Sequence, residues 1–286
     1  MSFPIALTID IHPGDKASSI RRCHDFLSEN NIPATFLIST AILHRSEERA
    51  AIKFVAQGRH ELGTHAHYHD GNEAEALMSG DDDQLGFLRI SKELFQEVLG
   101  NTPLSFRSPS WCGLGHAALN ELVRLGYRVD CSSTPQRPGI LSGYPLKNPW
   151  LLTPRQPHWL RDELLEVPTS TLLLPLASPS FAMLRSWGSK LLLTLLTLEV
   201  EKSKNMVLVL GFDISDFDRF RASGKASKRW AHLVPLATGG FQWRYWLRTY
   251  NPERIFRTTH AIFERLGKSQ FSRLSDIYAT HVKGPD

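Results

Sequence analysis

Apolar residues run almost unbroken from Ile5 to Ile11. From Lys16 to Glu29 they give way to a pattern in which Ile20, Cys23, Phe26 and Leu27 recur at helical spacing, before Asn30-Asn31 stops it. A buried strand followed by an amphipathic helix is the direct reading. The alternation then repeats. Ala34 to Ile38 predicts a second strand, Glu47 to Gln57 a helix with Ser46 as its cap, His60 to Thr64 a third strand, and Gln84 to Leu99 a further helix. Leu104 to Arg107, Tyr127 to Asp130, Leu165 to Pro168, Met206 to Phe212 and Gln270 to Arg273 bring the set to about eight strands.

Gly58, Gly100, Gly126 and Gly267 each follow a helical pattern, where a left-handed capping residue turns the chain back. Sustained βα punctuation of this kind predicts mainly parallel strands with helices packed outside, as an open sheet or a closed barrel. His12-Pro13-Gly14-Asp15 is not a G-x-G-x-x-G turn, which disfavours a dinucleotide fold and leaves an α/β barrel as the expectation.

Two long stretches break the rhythm. Cys131 to Glu163 is rich in proline and glycine and reads as irregular. Asp213 to Tyr250 mixes Arg219, Arg221, Lys225, Arg229, Trp230, Trp243, Arg244, Trp246 and Arg248, before Asn251-Pro252-Glu253 opens a helix ending near Leu266. No repeat or linker divides the chain, so residues 1–286 are read as a single domain.

Charge and cysteine content narrow the function classes. A net charge of +4 comes from nearly balanced acids and bases, which speaks against a dedicated nucleic-acid binder. Cys23, Cys112 and Cys131 are odd in number and lack paired-ligand spacing, so neither a disulfide framework nor a cysteine-based zinc site is expected. The start, Met1-Ser2-Phe3-Pro4, has no secretory pattern, which gives a cytoplasmic expectation. Thr171 to Leu176 and Leu191 to Leu198 fall short of the roughly 20 apolar residues of a spanning helix, leaving at most a peripheral membrane contact.

The candidate chemistry gathers at strand ends. Strand alternation puts Asp10 and His12 on one face and Ile9 and Ile11 on the other. The third strand delivers His65, His67 and His69, and other strands end at Arg107, Asp130 and Asp213. In a parallel barrel such ends meet in space, and imidazoles with a nearby carboxylate suit a divalent cation, zinc above all, in a hydrolytic site. Each residue also has a structural reading. The histidines fit a solvated His-rich loop, Asp10 a helix cap, Arg107 an ion pair elsewhere, Trp111 a core aromatic, and His60 a structural role.

The motifs Thr8-Ile9-Asp10, Pro33-Ala34-Thr35-Phe36, His60-Glu61-Leu62-Gly63 with His65 and His69, Phe106-Arg107-Ser108-Pro109-Ser110-Trp111, Gly126 to Asp130, Leu165-Glu166-Val167-Pro168 and Phe271 to Ile277 resemble, in order, those of the polysaccharide deacetylase family, carbohydrate esterase family 4. The resemblance implies a distorted (β/α)7-8 barrel, mainly parallel, and metal-assisted removal of an N- or O-acetyl group. It makes Asp10 the general base, His65 and His69 two metal ligands, and Arg107 the residue that orients the base. Trp111 and Asp130 are expected to contact substrate, and His67 gets no role.

Two positions depart from the family. Its second aspartate is here Ile11, and strand alternation moves the third ligand to His12. Leu210-Gly211-Phe212-Asp213 lacks the family's general-acid histidine, which leaves Asp213 as either an acid or a structural or sugar-binding carboxylate. The expected substrate is an acetylated sugar, lipid-linked or nucleotide-linked, in envelope polysaccharide or lipopolysaccharide (O-antigen) assembly. A catalytically silent carbohydrate binder and a hydrolase of a non-sugar amide are the alternatives.

Overall fold

The computed structural model describes residues 3–79, 82–136, 153–203, 205–218, 252–267 and 269–282. Its centre is a curled, mostly parallel sheet. The strands are β1 (Ile5–Ile11), β2 (Thr35–Ile38), β3 (Glu61–Thr64), β4 (Ser105–Phe106), β5 (Val129–Asp130), β6 (His158–Arg161), β7 (Leu164–Glu166), β10 (Leu208–Asp213) and β11 (Phe271–Ser272), with β8 (Thr171–Leu172) and β9 (Leu174–Pro175) forming a separate hairpin. The spatial order is β10, β1, β2, β3, β4, β5, β7, β6, and β11 pairs with the start of β1. Every pairing on this path is parallel except β6 with β7.

Closure is irregular. Backbone of residues 167–177, in place of a further strand ladder, spans the gap between β7 and β10. Val167 N–H donates to Asp130 O at 2.8 Å, Ser170 N–H to Val209 O at 3.1 Å, and Gly211 N–H to Leu176 O at 3.0 Å. A distorted (β/α) barrel is therefore the architecture.

Two apolar layers sandwich the sheet. Inside the curl lie Ala6, Leu37, Val129, Cys131, Leu165 and Val209, with Leu274 and Ile277 packed against them. Outside, Ile5, Leu7, Ile9 and Ile11 pack under the helices. The all-buried pattern of β1 is what a parallel strand covered on both faces requires.

The helices are α1 (Ala17–Glu29), α2 (Ser46–Ala56), α3 (Gly71–Ser79), α4 (Gly86–Leu99), α5 (His116–Arg124), α6 (Ser178–Lys202), α7 (Pro252–Leu266) and α8 (Leu274–Val282). Gly100, Gly126 and Gly267 have positive φ, as their capping role demands. Gly58 does not. There a Cβ would lie 2.9 Å from His24 Cε1, so close packing rather than handedness requires glycine.

Three expectations change. The stretch read as irregular from Cys131 to Glu163 contains β6, which forms a tight antiparallel hairpin with β7 across Asp162 and Glu163 and has no fully buried residue to mark it as an apolar strand. Ser46 is the first residue of α2, and Arg45 occupies the cap position. The helix α6 was not expected, because its residues are apolar on nearly every side and carry no single stripe. Residues 137–152 and the basic and aromatic positions from Arg219 to Tyr250 lie outside the described residues.

Candidate metal centre

Strand β1 carries Asp10 and His12 to the end of the sheet where catalytic groups of parallel barrels collect. Ile11 between them is fully buried among the outer core residues, so alternation sends it away from the site. A turn holds His12 in place: its N–H donates to Asp15 Oδ2 at 2.7 Å, and Asp15 N–H returns to His12 O at 3.0 Å.

Beyond β3, one ring nitrogen each of His12, His65 and His69 lie within 4.8 Å of one another. His12 and His69 have ring centroids 4.5 Å apart, and His65 and His69 4.4 Å. The His65 tautomer follows from its partner. Nδ1 lies 3.0 Å from the Arg107 carbonyl, which can only accept, so Nδ1 carries the hydrogen and Nε2 offers a lone pair. His67 turns elsewhere, with Nδ1 2.9 Å from Thr40 Oγ1.

The loop that presents His65 and His69 is strained and clasped. Ala66 and His69 both have φ near +60°, a region costly for residues with a Cβ. Glu73 offsets this cost by accepting three successive backbone N–H bonds, from His67 (3.2 Å), Tyr68 (2.9 Å) and His69 (2.8 Å). Asp70 Oδ1 in turn accepts the Glu73 N–H at 3.0 Å. The role of Glu73 was missed, although Asp70 followed three positions later by an acid is a helix-start signal in the sequence.

Asp10 is held by a buried cation. Arg107 is 0% exposed and donates through Nη1 to Asp10 Oδ1 (2.8 Å), through Nη2 to Thr8 Oγ1 (2.9 Å) and through Nε to Cys131 O (3.0 Å). Asp10 Oδ2 lies 4.0 Å from His65 Nε2. Burial pushes the Asp10 carboxyl above its ordinary range, with Arg107 opposing and Asp213 adding to the rise. Trp111 stacks over Arg107, 5.5 Å from guanidinium carbon to ring centroid.

Asp213 sits beside Asp10 in register across β1 and β10, and its Oδ1 lies 2.7 Å from His12 Nε2. Burial lowers the pKa of His12, but the hydrogen bond and charge of Asp213 outweigh it and bring the value up to about 9. His65 and His69 go the other way. Burial and their histidine neighbours hold His65 well below the ordinary value and His69 at about 3, leaving both neutral as metal ligands must be. His12 Nδ1 is buried and has no hydrogen-bond partner among the described residues. With Nε2 held by Asp213, Nδ1 is the His12 atom that a divalent cation of zinc type would take in exchange for its proton, beside two histidines that are already neutral.

Asp130, at the end of β5, is held by a network of its own. It is fully buried, accepts from Ser132 Oγ at 2.5 Å and faces Glu166 across the β5–β7 pairing. Burial and the Asp130 charge push Glu166 well above the ordinary range, so the two form a carboxyl pair at a distance from open solvent.

Among known families, the polysaccharide deacetylase model matches residues 2–129. No curated protein matches the chain. Solved structures resemble it in fold at low identity. A protein of Mycobacterium smegmatis provisionally described as a polysaccharide deacetylase is 15% identical, with 99% of this chain and 91% of that one covered, at a TM-score of 0.60. Puue allantoinase is 12% identical over 99% and 91% at 0.61. A mutant of BA3943, described as a CE4 family pseudoenzyme, is 9% identical over 96% and 67% at 0.50. The matched residues, 2–129, include Asp10, His12, His65, His69 and Arg107, so the similarity to the polysaccharide deacetylase family covers the part of the chain that builds the histidine cluster.

Proposed function

We propose that this chain is a metal-dependent hydrolase that removes an acetyl group from an N- or O-acetylated sugar, with zinc held by His12, His65 and His69. The observation that carries the reading is the convergence of three histidine nitrogens within 4.8 Å, beside an aspartate fixed by a buried arginine. When bound there, a divalent cation supplies Lewis-acid chemistry, polarising a carbonyl and acidifying water.

The chain's own residues do the rest. Asp10 is the general base, taking a proton from attacking water. Arg107 keeps its carboxylate aimed by a direct hydrogen bond and by two further anchors on Thr8 and Cys131. Asp213 acts through His12, setting the ring's orientation, in place of the acid role open to it from sequence. With no histidine between Leu210 and Asp213, protonated Asp10 is the group positioned to return its proton to the leaving nitrogen or oxygen. Trp111, over Arg107 and 3.5 Å from where a Gly211 Cβ would stand, forms the wall against which a sugar ring lies.

The substrate proposed is a lipid-linked or nucleotide-linked sugar in the cytoplasm, during envelope polysaccharide, lipopolysaccharide or O-antigen assembly. Acetate release from acetylated sugar conjugates by zinc-loaded protein, absent after chelation and in His65→Ala, tests the reading. Activity on small amides with none on sugars would redirect it to a non-sugar amide.

A second reading has its own observation. Ile11 is buried where the family carries a second carboxylate, so a silent carbohydrate-binding protein also fits. Purified protein that binds no divalent metal, and sugar binding unchanged in His65→Ala, would favour it.

A further inference from the structure

Helix α6 carries an apolar face that nothing among the described residues covers. Its inner side, with Phe181, Leu192, Leu193, Leu196 and Val200, is buried. On the outer side Trp187, Leu191, Leu195 and Leu198 are exposed, Trp187 by 78%. The spacing of four, four and three puts them on one stripe. From Trp187 to Leu198 every exposed position is apolar, the reverse of an ordinary surface helix.

Cations border this stripe. Arg185, Ser186 and Trp187 of α6 line a surface pocket of about 460 Å³ with Glu253, Arg254 and Arg257 of α7; Arg257 pairs with Glu253 at 2.7 Å, so the three arginines exceed the one acid by two charges. Between residues 219 and 251 the sequence holds seven Lys and Arg and no Asp or Glu, so the rest of the chain is net acidic. In sequence that stretch directly precedes Pro252, the first residue of α7, whose first turns line the same pocket. Apolar side chains with tryptophan, flanked by arginine, match the chemistry of a membrane interface with anionic headgroups. The helix lies on such a surface rather than through it, because no helix among the described residues is long and apolar enough to cross.

We propose that the outer face of α6, centred on Trp187, Leu191, Leu195 and Leu198 and bordered by Arg185 and Arg257, docks the protein onto an anionic lipid membrane. A second copy of the chain is the weaker occupant. The stripe exposes on the order of 500 Å², short of the about 800 Å² per partner that a stable dimer buries. Orientation adds to the case. The first residue of α6, Ser178, accepts the backbone N–H of Asp213 through its hydroxyl at 3.3 Å, so the helix starts beside the candidate metal centre. The proposal goes beyond the reading of that centre and stands or falls separately.

The test is flotation of the full chain with vesicles of phosphatidylglycerol and phosphatidylcholine, against vesicles of phosphatidylcholine alone. Binding to the anionic vesicles is expected to exceed binding to the neutral ones at least tenfold. It should fall at least tenfold in the triple variant Leu191→Gln, Leu195→Gln, Leu198→Gln and weaken in 0.5 M salt. Melting curves check that the variant folds, and if it does not, Trp187→Gln with Arg257→Gln takes its place. Three results would overturn the proposal: no flotation of the wild type on anionic vesicles, equal flotation on neutral ones, or full flotation of the stripe variant. A dimer in light scattering that the stripe variant dissolves would assign the face to a second copy instead.

Discussion

Asp213 Oδ1 lies 2.7 Å from Nε2 of His12, a contact across 201 positions of sequence. The parallel pairing of β10 with β1 creates it, by setting Asp213 level with Asp10. The carboxylate fixes which His12 nitrogen faces the protein and which stays open. Replacing Asp213 by asparagine keeps a side-chain oxygen for the turn it caps but removes the charge. Zinc affinity is expected to weaken about 10- to 100-fold, the usual cost of losing an orienting carboxylate. Competition titration with a zinc chelator measures it. Unchanged affinity would separate Asp213 from the metal centre.

The buried Asp10–Arg107 pair predicts opposite outcomes for its two members. Arg107→Leu strands a carboxylate in the core and is expected to cost about 3–5 kcal/mol in denaturant unfolding. Asp10→Asn should fold and still bind zinc, yet lose acetate release by about 100-fold or more. In the double variant the stability loss should be smaller than the sum of the two, because the stranded charge is gone. Additive losses would mean that the 2.8 Å contact contributes nothing specific.

Much of this site was legible because β1 is short, regular and buried throughout. Alternation alone put Asp10 and His12 on one face and Ile11 on the other, strand ends brought in His65, His69 and Arg107, and the resemblance gave those three their roles. What the sequence hid was pairing at long range. Nothing local says that Asp213 meets His12, or that Asp130 faces Glu166, since each depends on which strand lies beside which. Helix α6 was hidden for another reason. A helix read by its amphipathic stripe is not found when its outer face, from Trp187 to Leu198, is as apolar as its inner one. Strand ends drifted by a residue or two, as in β4, where Leu104 to Arg107 contracts to Ser105–Phe106.

Glu73 lies outside the histidine cluster but governs its loop. Three N–H groups converge on one carboxylate, so Glu73→Ala leaves all three without this acceptor, at about 1–3 kcal/mol for the buried His67 N–H and less for the part-buried other two. The expected result is lower stability in denaturant and weaker zinc binding together, since Ala66 and His69 lose the bonds that offset their positive φ. Glu73→Gln, which keeps one acceptor oxygen, should fall between. A destabilised variant with undiminished zinc affinity would show that the loop does not need this clasp to present His65 and His69.

At the opposite end of β3, His60 supplies a prediction about acid stability. Burial, and then the neighbouring His24, lower its pKa from the usual 6.5 to about 4. Both ring nitrogens are buried without a partner among the described residues, and Phe36 and His24 pack at 5.1 Å on either side. The unfolded chain therefore binds a proton on His60 at a higher pH than the folded one does. Its contribution to stability is complete above about pH 6.5, shrinks as the pH falls, and is lost through pH 4. His24, also lowered by burial, acts in the same direction. In His60→Phe the aromatic packing stays and the titration goes. Melting temperature should then drop less between pH 6.5 and 4 than in the wild type, with little difference between the two proteins at pH 8. Parallel melting curves across that window would show that protonation of His60 does not drive acid unfolding.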